Sequence, residues 1–340
     1  MTYEKFMELV KEQILSFLPE EYANAEVIIQ EVTKNNDQKF QAVCMKRPAD
    51  RIVPTIYLDG YYQMHQNGRD MDSILADLAK THQESMAEGA GWLPFHADDY
   101  ESVKSRLYVT VLNRDSNQNY LKDAVHKDLP DTDITAVVRV LCENRKEIGT
   151  ASFLVKENML EMWGISEEAV YEQALKNTES LFKPDMFNIM TILSGRDEEE
   201  AKNRVLSPYE QYVLTNDDKM NGATVMLYPN LLREIGEATG SNFFILPSSI
   251  HELILVKDNG EMSAEELQRM VMEINRTQLD PEEVLSDEVY CYDYKQQKLV
   301  MATEPGQTKE FIAEMSGMQE QDESLEEDRE AGYCVVRQIK

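Results

Sequence analysis

Four polar side chains of types found in acyl-transfer enzymes lie together between two apolar segments. They are Ser248, Ser249, His251 and Glu252. Serine, histidine and a carboxylate are the components of a catalytic triad. Residues two apart on one strand lie about 6.6 Å from each other, too far for a direct bond between nucleophile and base. No GxSxG motif places a serine on a strained turn. We therefore expect the hydroxyls to cap main-chain groups and His251 to hydrogen-bond locally, with a hydrolytic or binding site as the alternative.

A second polar group contains residue types that bind metals. It consists of His96, Asp98 and Asp99, with His82 on the preceding helix. Imidazole and carboxylate groups are ligands for borderline and hard metals. The two aspartates also precede a predicted helix, where acidic side chains are favourable without any metal, and we prefer that interpretation. No phosphate-binding motif of the GxxxxGK[ST] or GxGxxG type follows a strand, and no cofactor is predicted.

The densest group of aromatic residues could anchor a protein partner. It comprises Tyr57, Tyr61, Tyr62, Met64, Trp92 and Phe95. Tyrosine side chains are frequent anchors in interfaces. Core packing, with the hydroxyls directed toward water, is the simpler explanation and the one we favour.

The charge of the chain limits its partners. Its 340 residues carry a formal net charge of −29. Such a charge repels nucleic-acid phosphates and anionic membrane surfaces, so neither is an expected partner. The N-terminus has no apolar core of a signal peptide, and no apolar segment is long enough to cross a bilayer. The four cysteines (Cys44, Cys142, Cys291 and Cys334) form no CxxC pair, so reduced thiols in the cytoplasm are expected.

The first hundred residues predict helices around a small sheet. Apolar side chains recur at helical spacing from Tyr3 to Leu18, and Pro19 ends that helix. Strands are predicted at residues 26–32, 40–45 and 55–58, with a hairpin turn at 34–37. A second helix ends near Met86, and a short helix is predicted at 98–104.

The rest of the chain alternates between strands and helices. Strands are predicted at residues 107–112, 134–141, 150–155, 210–215, 243–246, 253–256, 290–294 and 299–302. Helices are predicted at 120–128, 158–163, 166–182 and 197–205, while 186–192 is ambiguous. Pro229 predicts two short helices or a kink within 222–237. Ser263 and Glu266 predict a capping box at the start of the last helix.

These elements predict an α+β fold with mixed or antiparallel sheets flanked by helices. Strands followed by a serine-capped helix occur at 134–182 and again at 243–275, which suggests two related α+β units beside an N-terminal unit. We predict an N-terminal unit at 1–92 and a larger α+β domain at 93–303, with a sub-boundary near 195–205. Residues 304–340 form an acidic polar tail.

Four segments carry a resemblance to a known family: FMELVKEQI, WGISEEAVYEQALKNT, GATVMLYPNLLREI and FFILPSSIHELILVKD. Over most of residues 1–303 the chain resembles the bacterial family called domain of unknown function 5688. The second segment and residues 222–258 are also distantly similar to domain of unknown function 1444. The resemblance implies a bacterial cytosolic protein and assigns no reaction, cofactor or catalytic residue.

Two classes of function fit the sequence. The preferred one is a non-enzymatic interaction or regulatory protein, which predicts an exposed apolar or tyrosine-rich surface and a protein partner. The alternative is an enzyme, such as a hydrolase, acting at Ser248, Ser249, His251 and Glu252. That alternative predicts a concave pocket with His251 within hydrogen-bond distance of a hydroxyl.

Overall fold

The computed structural model describes residues 1–50, 53–87, 95–145, 149–194, 206–247 and 249–303. Its internal contacts divide the chain into unit 1, residues 1–103, and unit 2, which begins at Lys104. The predicted boundary at 92/93, the sub-boundary near 195–205 and the tail at 304–340 lie outside the described residues. Each unit is described by itself.

The described residues of unit 1 form a three-stranded antiparallel sheet and four α-helices. In chain order its elements are α1 (Tyr3–Gln13), β1 (Glu26–Thr33), β2 (Lys39–Lys46), β3 (Ile56–Tyr57), α2 (Asp59–Gln66), α3 (Met71–Ser85) and α4 (Tyr100–Val103). The strand order is β1-β2-β3. A 3-10 helix at Asn35–Asp37 lies at the predicted hairpin turn between β1 and β2. The three predicted strands are confirmed to within two residues at each end.

Side chains from α1, α3 and one face of the sheet form the core of unit 1. Thr2 begins α1, because its hydroxyl accepts a hydrogen bond from the main-chain N–H of Lys5. Asp70 begins α3 in the same way. Each helix then buries one apolar face, as its spacing predicts. The core residues include Phe6, Val10, Ile14, Val43, Met45, Ile56, Ile74, Leu75 and Leu78.

Unit 2 contains ten described strands and five described helices. Its first half comprises β4 (Leu107–Asn113), β5 (His126–Asp128), β6 (Ile134–Arg145), β7 (Gly149–Leu154), α5 (Glu157–Trp163), α6 (Glu167–Leu181), β8 (Pro184–Asn188) and α7 (Ile189–Leu193). Its second half comprises β9 (Gln211–Asn216), α8 (Leu231–Thr239), β10 (Phe243–Leu246), β11 (Leu253–Lys257), α9 (Ala264–Gln278), β12 (Tyr290–Asp293) and β13 (Lys298–Met301). A 3-10 helix at Gly222–Leu227 precedes α8, so the two short helices predicted around Pro229 are confirmed.

The sheet of unit 1 is sheet 1, and the strands of unit 2 form two further antiparallel sheets. Sheet 2 has the order β4-β6-β5, with β7 also paired to β6. Sheet 3 has the order β13-β12-β10-β11-β9-β8. Every described strand pairing is antiparallel and helices flank the sheets, so the predicted α+β class is confirmed.

Sheet 3 separates two apolar clusters because side chains alternate along its strands. On one face, Phe243 and Leu255 pack with α8 and the 3-10 helix. On the other face, Leu246 packs against Leu267 and Val271 of α9. The predicted capping box at the start of α9 is present, with the Ser263 hydroxyl and the Glu266 carboxylate each accepting a main-chain N–H.

Two threonine side chains hydrogen-bond the outer edge of β4. The main-chain N–H of Val109 donates to Thr178 Oγ1 of α6 at 3.0 Å. The N–H of Val111 donates to Thr224 Oγ1 of the 3-10 helix at 3.3 Å. These bonds satisfy edge groups that would otherwise be open to another strand. They also fix α6 and the 3-10 helix beside sheet 2.

The predicted helix at 120–128 is wrong. Residues 126–128 form β5, which pairs with β6, and Ala124 forms an isolated bridge with Lys156. The main-chain groups of Val125 bond Val155 and Val138 at 2.9 Å each. These contacts between distant segments replace the local bonds of a helix, which explains why periodicity failed here.

Within the described part of the chain, the longest helices have 15 residues. No described helix combines the length and the apolar composition that crossing a bilayer requires.

Candidate functional site

The loop between β10 and β11 contains the predicted serine–histidine cluster. The two strands are antiparallel neighbours in sheet 3, so Ser249, His251 and Glu252 lie at the end of a hairpin. Ser248 lies outside the described residues. The three described residues lie on no strand, and the spacing of about 6.6 Å expected from strand geometry therefore does not apply to them.

Ser249 uses its hydroxyl to fix this loop. Its Oγ accepts a hydrogen bond from the main-chain N–H of His251 at 3.0 Å, and the residue is 3 % exposed. The N–H of Ser249 donates to the carbonyl of Glu252 at 3.4 Å. A serine hydroxyl that bonds the main chain two residues later stabilises a tight turn.

The His251 ring contacts two other segments of unit 2. Its Nδ1 accepts a hydrogen bond from the main-chain N–H of Asn221 at 3.1 Å. Its Nε2 lies 3.8 Å from Glu283 Oε1. A ring nitrogen that accepts an N–H carries no proton, so the neutral ring has its proton on Nε2, facing the Glu283 carboxylate. The nitrogen that could act as a base is thus bonded to a main-chain donor.

Main-chain bonds attach the loop to its surroundings on three sides. Thr215 Oγ1 of β9 donates to the carbonyl of His251 at 2.7 Å. The N–H of Ala223 donates to the carbonyl of Ile250 at 3.2 Å, and the N–H of Ile250 donates to the carbonyl of Glu283 at 2.8 Å. The polar groups of the loop therefore serve mainly to hold β9, the 3-10 helix and residues near 283 together.

Gly222 makes this close contact sterically possible. A Cβ atom at this position would lie 2.0 Å from Thr215 Oγ1 and 2.3 Å from the carbonyl oxygen of His251. Both distances are far below van der Waals contact, so any side chain would force the loop and β9 apart. Sequence reasoning missed Asn221, Gly222, Thr215 and Glu283. The adjacent Asn221-Gly222 pair was the available signal, since such pairs mark turns.

A small cavity lies beside this loop. Its volume of about 10 Å³ is roughly the room that one water molecule needs. Its lining includes Tyr108, Phe182, Asn216, Asn221 and Tyr228. The Tyr228 hydroxyl donates to the carbonyl of Phe182 at 2.6 Å, and burial, with Asp217 and Glu179, raises the pKa of Tyr228. The cavity is too small to bind an organic substrate.

The candidate metal ligands lie on the surface of unit 1. His96, Asp98 and Asp99 are exposed. Asp99 Oδ1 accepts the N–H of Glu101 at 3.3 Å, and its carbonyl accepts the N–H of Ser102 at 3.1 Å, at the start of α4. Among the described residues, no group of three or more His, Cys, Asp or Glu side chains is arranged to hold a metal.

The tyrosine-rich segment packs largely within unit 1. The Tyr62 ring stacks on Tyr3 at a centroid distance of 4.6 Å, and the Tyr61 hydroxyl lies 3.1 Å from Thr81 Oγ1. The Lys34 ammonium lies 4.1 Å from the centroid of Tyr57. Met64 is 44 % exposed, and Trp92 lies outside the described residues.

Three of the four cysteines are described, and all three are free thiols. Burial, with Asp258 and Asp293, raises the pKa of Cys291 to about 11. Burial also raises the pKa of Cys142, although Arg106 and Arg139 oppose the shift. Both thiols therefore remain protonated at neutral pH, where they are weak nucleophiles.

A protein-family model matches residues 3–294, and its description is Family of unknown function (DUF5688). The match includes all four segments that carry the sequence resemblance. No curated protein and no solved structure matches the chain.

Proposed function

The chain belongs to the family of unknown function DUF5688, and we propose that it is a bacterial cytoplasmic protein that binds a protein partner and catalyses no reaction. The observation that carries this proposal is the presentation of Tyr209, which is 80 % exposed on unit 2. Its backbone has φ of +70°, a conformation that is rare and unfavourable for a bulky residue. Such conformations persist where the surrounding structure enforces them, often at functional sites.

The turn that carries Tyr209 is rigidly built. The Tyr212 hydroxyl accepts the main-chain N–H of Ser207 at 3.2 Å and donates to Glu210 Oε2 at 2.8 Å. Hydrogen bonds from Tyr212 first, and then from Ser207 and Asn188, lower the pKa of Glu210. Tyr212 is only 3 % exposed, so the network is anchored in the core. The backbone that carries Tyr209 is therefore ordered before binding, which reduces the entropy that the turn loses when a partner binds.

Met190 extends the same surface. Asn188 of β8 is paired with Tyr212 of β9, and α7 begins at the next residue. Met190 therefore lies at the same end of the β8–β9 pair as the turn, and it is 59 % exposed. We call Tyr209 and Met190 the Tyr209 surface. Tyrosine and methionine are enriched in protein interfaces, where each supplies a large apolar contact area.

The net charge of the chain favours a partner with a basic surface. With a net charge of −29, the protein attracts basic surfaces and repels acidic ones over the first steps of an encounter. The partner we propose is a protein with an apolar pocket bordered by lysine or arginine side chains. The His251 loop supports this proposal, because the described hydroxyl and imidazole groups bond the main chain and the cavity beside them has room for about one water molecule.

The test compares two variants of the tagged full chain in the bacterium that encodes it. Tyr209→Ala removes the proposed anchor, whereas Met162→Ala removes a side chain on α5 that is 55 % exposed and distant in sequence. Co-purified proteins are quantified by mass spectrometry, and affinities are then measured with the purified partner. We expect Tyr209→Ala to weaken binding about tenfold or more and Met162→Ala to change it less than twofold.

Salt provides a second criterion. Since opposite charges steer the encounter, association with the partner should slow as ionic strength rises. A partner that binds the Tyr209→Ala protein as tightly as the original would refute the Tyr209 surface. Recovery of no stoichiometric partner at all would refute the interaction function.

A further inference from the structure

Arg139 is a partly buried cation whose contacts are all neutral. It lies in the middle of β6, in sheet 2. Its Nε donates to Ser152 Oγ at 3.1 Å and its Nη1 donates to the Tyr120 hydroxyl at 2.9 Å. Within the described residues no carboxylate pairs with it, although the sequence contains 63 acidic residues. Burying a charge without a counter-ion is unfavourable unless something else neutralises it.

The hydroxyl group of Tyr108, beside Arg139, has no acceptor for its proton in the described structure. Tyr108 of β4 lies directly opposite Arg139 in the register, so both side chains are on one face of sheet 2. Tyr108 is 2 % exposed, its hydroxyl faces the Arg139 guanidinium, and no acceptor in the described structure takes the proton of that hydroxyl. Buried hydroxyl groups are nearly always bonded, and an exception calls for a missing acceptor. The guanidinium group and the hydroxyl group both donate hydrogen bonds, so a single hydrogen-bond acceptor can bond both of them.

A second guanidinium group strengthens the positive potential at this end of β6. Arg106 Nη1 donates to the carbonyls of Leu141 at 3.3 Å and Cys142 at 3.2 Å. Burial raises the pKa of the Cys142 thiol, and the charges of Arg106 and Arg139 both oppose that rise. In a chain of such negative net charge this cluster is a local exception. At physiological ionic strength, dissolved salt screens charges that are more than about 8 Å apart. The electrostatic potential at this cluster is therefore determined by the two arginines more than by distant carboxylates.

We propose that Arg139, with the hydroxyls of Tyr108, Tyr120 and Ser152, binds the phosphate group of a small ligand. A guanidinium group has five N–H donors, of which the two bonds described above occupy two. Arginine binds phosphate through parallel charge-assisted bonds. The tetrahedral phosphate can also accept from hydroxyls that approach from different directions, whereas a planar carboxylate offers acceptors in one plane. This site is separate from the Tyr209 surface and independent of it.

The test measures binding of inorganic phosphate to the full chain by isothermal titration calorimetry in a phosphate-free buffer. Acetate is titrated at the same ionic strength as the carboxylate comparison. The variants are Arg139→Gln and Tyr108→Phe, and the matched control is Arg233→Gln, which removes an arginine paired with Glu237 on α8. We expect saturable binding of phosphate below about 20 mM. Arg139→Gln should weaken it about tenfold or more and Tyr108→Phe about threefold to tenfold, with little change for Arg233→Gln.

Each other result overturns the proposal. Absence of binding up to about 20 mM phosphate would do so, as would equal affinity of the Arg139→Gln and original proteins. Acetate binding as tightly as phosphate would refute the choice of ligand. Circular dichroism shows whether Arg139→Gln still folds. If it does not, Tyr108→Phe decides the matter, since it removes a single oxygen atom, and unchanged phosphate affinity in that variant would refute the site.

Discussion

His82 places an imidazole inside the hydrophobic core of unit 1. The residue is fully buried, and neither ring nitrogen has a hydrogen-bond partner within the described structure. Its ring meets the edge of Tyr22 at a centroid distance of 5.1 Å. Burial lowers the pKa of His82, Asp50 opposes that effect and Arg47 adds to it. The folded protein therefore holds this ring in its neutral form.

A neutral buried ring makes the stability of unit 1 depend on pH. Below the ordinary histidine pKa of about 6.5, the unfolded chain binds a proton that the folded ring does not. The free energy of unfolding should therefore fall as the pH drops below about 6.5, until the lowered folded-state pKa is reached. We expect His82→Phe to remove this dependence and to stabilise the protein by about 1 kcal/mol at pH 7.

Urea unfolding followed by circular dichroism at several pH values between about 5 and 8 measures this effect. His96→Ala is the control, because His96 is exposed and should contribute little. If the original and His82→Phe proteins lose stability equally on acidification, the buried ring is not the cause.

For single residues, the sequence predicted the roles of the side chains in the His251 loop. It did not predict which groups those side chains bond. The residue type of Ser249 indicated capping of the main chain, whereas the local hydrogen bond expected of His251 is replaced by one to Asn221. The partners Asn221 and Glu283 lie 30 or more residues away in sequence and required the fold. Arg139 and Tyr108 looked like ordinary strand residues, since only the register of β4 and β6 brings them together.

Gly222 determines whether the 3-10 helix can pack against β9 and the His251 loop. We expect Gly222→Ala to destabilise the protein by about 2–3 kcal/mol, because the new Cβ would overlap Thr215 Oγ1 and a main-chain carbonyl. Thermal or urea unfolding measures the change. Gly60→Ala is the matched control, because a Cβ at Gly60 in α2 meets no atom within 4 Å.

Gly60→Ala should be neutral or stabilise the protein by up to about 1 kcal/mol, since alanine favours a helix more than glycine does. Equal free energies of unfolding for Gly222→Ala and Gly60→Ala would mean that β9 and the His251 loop can move apart without loss of stability. Retained stability of Gly222→Ala would also contradict the tight packing described for this site.

Elements with strong local signals were predicted well. The capping serines Ser166 and Ser263 both begin helices of 15 residues. The alternating segments of sheet 3 are present as strands. Residues 120–128 failed because their pairing is decided by Val155 and β6, which are distant in sequence. The ambiguous residues 186–192 form the end of β8 and most of α7.

Net charge acts on the molecule as a whole. A charge of −29 at pH 7 implies mutual repulsion among carboxylates that destabilises the folded state. Raising NaCl from about 20 to 300 mM should therefore raise the melting temperature by a few degrees at pH 7.5. Differential scanning fluorimetry measures this shift. At pH 4.5, near the isoelectric point, the same increase in salt should have little effect, and an equal shift at both pH values would contradict the explanation.

The amino-acid sequence predicts only part of how the chain divides into compact units. The boundary predicted at 92/93 lies outside the described residues, and the contacts of the structure place the residues up to Val103 in unit 1. Separate cores define the units, and a core depends on which helices and strands meet. The sequence alone predicts which side chains are apolar, and leaves open which of them share a core.

The threonine bonds to β4 have a consequence for synthesis of the chain. β4 is complete at Asn113, but Thr178 and Thr224 follow 69 and 113 residues after the strand residues that they bond. At roughly 5–20 residues per second, a ribosome needs several seconds or more to produce both. During that interval the main-chain amides of Val109 and Val111 have no threonine to bond, so this edge of β4 is open to pairing with a neighbouring chain until translation has passed Thr224.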